Sequence, residues 1–319
     1  MTFETKQTTD QCVSSSVEAL PDSVDVGGRH LMPSTERLLT ASDSDRARAV
    51  IEDVAILYPF LQRVVAEAEW MIHEPRRTRA RGLIVCGEAG NGKTSLAKLI
   101  HSRYQSYGHA VSPCVLTISM SGARDSRSVY GRIMEALGSP TRISHRLSDR
   151  ELIVRDLLRR VNCRLIILDE AQDILLGSER EQVRALEGIK LLMNELSMPI
   201  LAFGTEKAEQ GFRSDRHLAA RFRTLPLPGW QADDTLANFL ATYERLLPLH
   251  RPSYLASPDK VKALAKIGGG VIGAIVERIQ NAALTAIVDG TECITKELLL
   301  SAEMRPAQCL IIPEKGDFL

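Results

Sequence analysis

Five short apolar runs, Leu83 to Cys86, Val115 to Met120, Leu165 to Leu168, Ile200 to Phe203 and Phe222 to Leu227, alternate along the chain with stretches whose apolar residues recur at helical spacing. Short apolar runs separated by helices are what strands covered on both faces look like. The alternation therefore predicts an α/β fold, a five-stranded parallel sheet covered by helices. After Pro228 the strands stop, and helical patterns at about Ala232 to Leu246, Pro258 to Lys266, Val271 to Val288 and Thr295 to Ser301 predict a small all-α lid. Upstream, Val50, Val54, Leu57, Leu61, Val64, Val65, Ala68 and Met71 keep helical spacing from Arg46 to Ile72, with a break near Pro59. One or two amphipathic helices are expected there. Residues 1–45 are rich in Ser, Thr and Asp, lack apolar periodicity and read as a flexible arm. The expected plan is an arm over 1–45, an α/β domain with N-terminal helices over 46–228, a helical lid over 229–303 and a tail over 304–319.

Chemistry enters where the first run ends. Gly87, Glu88, Ala89, Gly90, Asn91, Gly92, Lys93 and Thr94 form a complete G-x-x-x-x-G-K-[ST] phosphate loop, and Ser95 begins a helix-forming stretch. Glycines let backbone N–H groups and the helix N-terminus face phosphates, Lys93 reaches the β/γ oxygens, and the Thr94 hydroxyl ligates Mg²⁺. ATP with Mg²⁺ is the expected ligand. Leu165 to Leu168 then ends in Asp169-Glu170. In this Walker B pattern Asp169 holds the metal through water, and Glu170 polarises the water that attacks the γ-phosphate, which argues for hydrolysis beyond binding.

The string Asp169-Glu170-Ala171-Gln172 also resembles a helicase DEAQ-type box. Too few strand-like residues follow Leu227 to build a second motor core, so a helicase is set aside. The run Ile200 to Phe203 leads to Gly204-Thr205. Thr205 is either a γ-phosphate sensor, if this strand lies between the first and third, or a cap on the helix that follows.

Charge and cysteine content narrow the classes. Lys+Arg and Asp+Glu are each 40, giving zero net charge, so a globally basic coat for nucleic acid is excluded while a local basic face is not. Cys12, Cys86, Cys114, Cys163, Cys293 and Cys309 are scattered without C-x-x-C pairs and read as reduced thiols. No run approaches a membrane span, and a cytoplasmic protein with no membrane partner is expected.

The phosphate loop, Asp169-Glu170, Gly204-Thr205, an arginine segment around Arg216 and Arg221, and the helical lid together resemble the AAA+ ATPases. A narrower resemblance, over about residues 60 to 300, is to the TniB/TnsC group of transposition ATPases. It is carried by Leu176 to Gln182, Asn194-Glu195-Leu196 with Pro199, Leu218 to Phe222, Leu227-Pro228-Gly229-Trp230 and Leu247-Pro248-Leu249-His250-Arg251-Pro252-Ser253.

This resemblance implies an ATP-dependent regulator that oligomerises on double-stranded DNA, as a ring or a helical filament, and passes a target to a DDE-type transposase, often with a TniQ-type adaptor. It also places Arg221, or else Arg216, against the neighbouring subunit's nucleotide, the alternative being a solvated basic turn. Lids of this class often carry an arginine early in the third lid helix, where this chain has Ile272. Weak coupling of lid to phosphate and slow hydrolysis are the corresponding expectations.

Arg124, Arg127, Arg132, Arg142, Arg146 and Arg150 follow the second strand. In an assembled ring or filament, Arg124 and Arg127 would hold the DNA backbone without reading sequence; solvated surface arginines are the other reading. A second cluster, Arg76, Arg77, Arg79 and Arg81, either flanks the base of a bound nucleotide or solvates a linker. Two competing functions remain: a replication initiator or loader of the same class, and a nucleotide-gated DNA-binding scaffold with negligible turnover.

Overall fold

The computed structural model describes the backbone of residues 17–19 and residues 30–105, 114–139 and 146–301. In chain order the elements are β1 (Val17–Ala19), α1 (Pro33–Leu38), α2 (Asp43–Ile51), β2 (Ala55–Leu57), α3 (Pro59–His73), β3 (Gly82–Cys86), α4 (Lys93–Gln105), β4 (Cys114–Ser119), α5 (Ser126–Ala136), α6 (Leu147–Arg160) and β5 (Cys163–Asp169). A 3-10 turn (Ala171–Leu176) leads into α7 (Glu179–Glu195), β6 (Ile200–Gly204), α8 (Glu206–Ser214), α9 (Arg216–Ala219) and β7 (Phe222–Pro226). Four helices, α10 (Asp234–Glu244), α11 (Pro258–Gly268), α12 (Ile272–Val288) and α13 (Lys296–Leu300), complete the described chain.

The five expected strands form one parallel sheet in the order β4-β5-β6-β3-β7. Period-two alternation divides its side chains between two cores. Leu83, Val85, Leu165, Ile167, Leu201 and Phe203 pack on the face shared with α3, α4 and the C-terminal helices. Ile84, Ile166, Leu168, Ile200 and Ala202 pack on the face shared with α5 to α8. The connection from β3 runs through α4 toward one edge, and the connection from β6 runs through α8 and α9 toward the other. Such a switch point opens a crevice at the carboxyl ends of adjacent strands.

Two expectations for the N-terminal region need correction. The helical reading of Arg46 to Ile72 hides a strand, since Ala55–Leu57 pairs in parallel with Val17–Ala19. Three residues are too few to show period two, and the partner lies far upstream. The flexible arm does not extend to residue 45, because α1 and the start of α2 lie within it. Residues 1–16 and 20–29 and the tail over 304–319 lie outside the described residues.

These N-terminal helices are tied to the C-terminal ones. Arg46, only 3% exposed, donates to Pro248 O at 3.1 and 2.8 Å and pairs with Glu292. Burial alone would raise the Glu292 carboxyl, but Arg46 and the His250 amide prevail and hold it below its ordinary range. Leu247 to Ser253 is a loop saturated in the same way. Glu244 accepts the amides of Ser253, Tyr254 and Leu255 at 2.6 to 2.7 Å, and Ser253 Oγ accepts Ile294 N–H at 2.9 Å. The segment most specific to the family resemblance thus secures the fold around α10 and α12.

Candidate functional site

The phosphate loop leaves β3 at the switch point. Gly87 N–H donates to Gly204 O at 3.1 Å, so Thr205 lies beside the loop, with β6 between β5 and β3 as the sensor reading requires. Lys93 begins α4, is 7% exposed, and its ammonium donates to Gly87 O at 2.9 Å and Glu88 O at 2.7 Å. Burial pulls this ammonium below its ordinary pKa, opposed by the nearby Glu170 and Asp169 carboxylates. One cleft of about 380 Å³ is lined by Ala89 to Leu96 together with Glu170, Gln172 and Thr205. That volume lies in the range of small-molecule sites.

Asp169 ends β5, 7% exposed, and its Oδ1 accepts Glu170 N–H at 3.0 Å. Glu170 adopts left-handed backbone, φ 53 and ψ 42, which non-glycine residues seldom enter and which turns its side chain off the strand line. Gln172 bridges the two candidate catalytic groups. Its Nε2 donates to Glu170 Oε2, and its Oε1 accepts Thr205 N–H at 3.2 Å. The Thr205 hydroxyl is buried without a partner, the state of a group that a phosphate oxygen would satisfy. Thr205 makes no side-chain cap on α8, so the capping alternative is not what the structure displays.

Mg²⁺ suits this donor set: an exposed Thr94 hydroxyl and a single Asp169 carboxylate leave room for water and phosphate oxygens, the sparse protein ligation that the ion prefers. Among the described residues no cluster of three or more His, Cys, Asp or Glu could hold a metal by itself.

Sequence reading missed the other half of the cleft. Glu52 to Ile56, Tyr58, Trp230, Phe239, Tyr243, Val276 and Gln280 line it, contributed by the missed strand and by α10 and α12. Tyr58 and Trp230 meet edge to face at 4.7 Å, and the Tyr58 hydroxyl and the Trp230 indole nitrogen are buried without partners. Burial pushes the Tyr58 phenol well above its ordinary value. A single aromatic after turn residues, Pro228-Gly229-Trp230, was the available signal.

The lid expectation also changes. Ile272 offers no charge, but its N–H donates to Asn91 Oδ1 at 3.0 Å, and Gly273 N–H donates to Gly90 O at 2.9 Å. Two open donors of the first turn of α12 are thus satisfied by the phosphate loop itself. A Cβ on Gly273 would sit 2.9 Å from Gly90 O, so only glycine permits this approach. The lid is coupled to the loop by main chain and by Asn91, in place of an arginine.

Arg216 is exposed at the start of α9. Arg221 is half-buried, with Nη1 shielded and unpaired. Arg124 and Arg127 are exposed in and after the loop between β4 and α5, on the carboxyl side of the sheet. Arg132 and Arg150 are committed internally: Arg132 donates to Ser121 O at 2.5 Å, and Arg150, 8% exposed, donates to Arg127 O at 3.2 Å. Arg146 is exposed, and Arg142 lies outside the described residues.

The cluster from Arg76 to Arg81 precedes β3 at the amino end of the sheet, so it does not flank the nucleotide cleft. Arg76 donates there to Leu196 O and Cys163 O at 2.7 and 3.1 Å. No single helix among the described residues is long and apolar enough to cross a membrane.

A first strand flanked by the fourth and fifth, with the third beyond the fourth and the second at the far edge, is the strand order of AAA+ P-loop NTPases, and this chain has that fold. The family model described as Bacterial TniB protein matches residues 46–232, more than half of the chain, and the chain belongs to that family.

Its fold is similar to that of the Aeropyrum pernix ORC2 protein, solved as ADPNP-ADP complexes, at 17% identity over 79% of this chain and 70% of that one, TM-score 0.59. Cdc6p from Pyrobaculum aerophilum follows at 13% identity over 77% and 67%, TM-score 0.57. The Aeropyrum pernix ORC1 protein in complex with DNA gives 17% identity over 83% and 69%, TM-score 0.55. Identities this low speak for the fold alone. By sequence, 123 residues are 32% identical to Chromosome transmission fidelity protein 18 of Emericella nidulans, covering 39% of this chain and 11% of that protein. The chain thus spans about a tenth of that relative's length.

Proposed function

We propose that this protein is an ATP-dependent regulator of DNA transposition that oligomerises on double-stranded target DNA, recruits and activates a DDE-type transposase, and leaves when ATP is hydrolysed. The observation that carries the reading is the convergence of Lys93, Glu170 and Thr205 on one cleft, with the Asp169 carboxylate near Lys93, in a TniB-family chain. In it, Gly87 to Ser95 cradle the triphosphate, and Thr94 with Asp169 hold Mg²⁺, which screens phosphate charge. Glu170 orients and deprotonates the attacking water, and Thr205 donates to the γ-phosphate. Arg221, with Arg216 as the more exposed alternative, reaches the neighbouring copy's nucleotide and makes turnover conditional on assembly. Arg124 and Arg127 hold the DNA backbone. A TniQ-type adaptor, a cytoplasmic setting and the division at residues 228 and 303 belong to the same proposal.

Electron microscopy with duplex DNA and a non-hydrolysable ATP analogue tests it. Rings or filaments on DNA are expected; a monomer at saturating nucleotide and DNA refutes the reading. In solution, duplex DNA should stimulate ATP turnover, and Glu170→Gln should abolish it. A second reading, an initiator or loader in replication, is compatible with the same fold. Retention of the transposase by the ATP-loaded DNA complex separates the two.

A further inference from the structure

Two thiols meet at the amino end of the sheet, away from the nucleotide cleft. Cys114 opens β4, Cys163 opens β5, and the two are Cα partners in the parallel ladder. The register slips immediately after them, since Val115 pairs with Leu165 and leaves Arg164 over. That slip fixes which way the sulfurs point. Val115 and Leu165 pack in one core and Cys163 in the other, so Cys114, next to Val115 on an extended strand, turns to the same side of the sheet as Cys163. Their side chains are hydrogen-bonded to each other.

The surroundings give the two sulfurs different tasks. Cys163 is fully buried, whereas Cys114 keeps part of its surface in solvent. Cys163 has one S–H and two acceptors in reach, the Cys114 sulfur and Leu165 O at 3.5 Å. A thiolate is the stronger acceptor, so the bond favours ionised Cys114 and holds its thiol below the ordinary value. Arg76, donating to Cys163 O at 3.1 Å, sets a positive charge beside the pair. Cys86 is the contrast: burial and the Glu209 carboxylate push its thiol up to about 11. Adjacent strands run about 4.8 Å apart, within the Cα separation that a disulfide spans but wider than its usual Cβ separation. A bond here would draw on the give of the bulge and would be readily reduced.

We propose that Cys114 and Cys163 form a hydroperoxide-reactive dithiol, a modification site in which Cys114 is the attacking sulfur and Cys163 the resolving one. The Cys114 thiolate attacks one peroxide oxygen, the O–O bond breaks, and the departing hydroxide takes up the proton that Cys114 had released. Cys163 sulfur then attacks the sulfenic sulfur of Cys114; the S–O bond breaks, and this second hydroxide leaves with the Cys163 proton. Two thiols and one hydrogen peroxide give one disulfide and two waters, the sulfurs losing the two electrons that the peroxide oxygens gain. Neither nucleotide nor DNA takes part. The bond staples the edge strand β4 to β5 at the amino end, as Met120 N–H and Asp169 O join the pair at the carboxyl end at 2.8 Å.

Peroxide titration of the reduced full chain, followed by alkylation and peptide mass mapping, tests this. An intramolecular link between Cys114 and Cys163 is expected, formed at least about tenfold faster than any oxidation of Cys86 and reversed by dithiothreitol. Amide exchange along Cys114–Ser119 should slow at least about threefold in the linked chain and recover on reduction. Cys163→Ala should stop Cys114 at the sulfenic acid, which dimedone captures. Cys114→Ser should leave Cys163 reduced. A folded wild type in which Cys114 passes to the sulfinic acid while Cys163 stays reduced overturns the inference, as does Cys114 joined instead to Cys12, Cys309 or a second chain. A linked chain whose β4 amides exchange as before overturns the staple.

Discussion

The two ends of the central sheet are built from the same strands yet treat polar groups in opposite ways. At the amino end, arginine side chains are spent on backbone carbonyls: Arg76 on Leu196 and Cys163, Arg164 on Ile72 at 3.0 Å and Glu74 at 2.7 Å. At the carboxyl end, the Thr205 hydroxyl is buried with no partner, Lys93 is desolvated, and Glu170 sits in left-handed backbone. A charge cluster that closes its own hydrogen bonds seals an edge. Groups left short of partners, or held under strain, mark where a ligand is received. Arginine count alone does not separate the two, because the amino end has the denser cluster.

Four experiments break or sharpen that contrast. Glu170→Gln, at the carboxyl end, should lower turnover about 10²–10⁴-fold while nucleotide affinity stays near wild type, the usual range for loss of a general base; loss of binding with turnover would show that Glu170 is structural. Asn91→Ala strands the Ile272 N–H, a loss of about 1–3 kcal/mol. Lid and loop should then uncouple, and ATP-analogue affinity measured by titration should fall roughly tenfold, about 1.4 kcal/mol.

At the amino end, Arg76→Ala should lower stability by about 1–2 kcal/mol in a denaturant titration, because two carbonyls lose their donor, with KM for ATP unchanged. A changed KM would mean that the ends communicate. The smallest effect is chemical. Cys114 and Cys163 face each other in register on β4 and β5, and the hydrogen bond from Cys163 holds the Cys114 thiol below its ordinary value. Burial, reinforced by Glu209, pushes Cys86 at the opposite end up to about 11. The thiolate is the reactive form above its pKa. Site-resolved alkylation should therefore rise below pH 9 at Cys114 and stay negligible at Cys86 up to pH 9, and Cys163→Ala, which removes the donor, should move the Cys114 midpoint upward toward the ordinary value of 9.0.

The strands, the phosphate loop and the strand-terminal acids were legible because each is a local pattern: a short apolar run, a glycine spacing, a carboxylate pair. Thr205 was legible conditionally, since its place depended on strand order. What escaped depends on distant partners. The strand Ala55–Leu57 exists because Val17–Ala19 pairs with it, and Tyr58 and Trp230 share a cleft through contacts that periodicity does not record. The lid illustrates a different failure. The absence of an arginine at Ile272 was read correctly, but the coupling expected to be weak is made by backbone atoms, which have no letter in the sequence, and by the Asn91 side chain, whose partner lies 181 residues away.

That backbone joint sets the leverage of the lid. Helix α12 has 17 residues, which at 1.5 Å each makes a rod about 25 Å long pinned at its first turn to Gly90 and Asn91. A tilt of about 5° at the pin sweeps the far end through roughly 2 Å, enough to change which side chains meet there. A flexing of the phosphate loop that tilted this helix would therefore be magnified toward Val288, where Ala282 to Ile287 are buried against neighbouring helices.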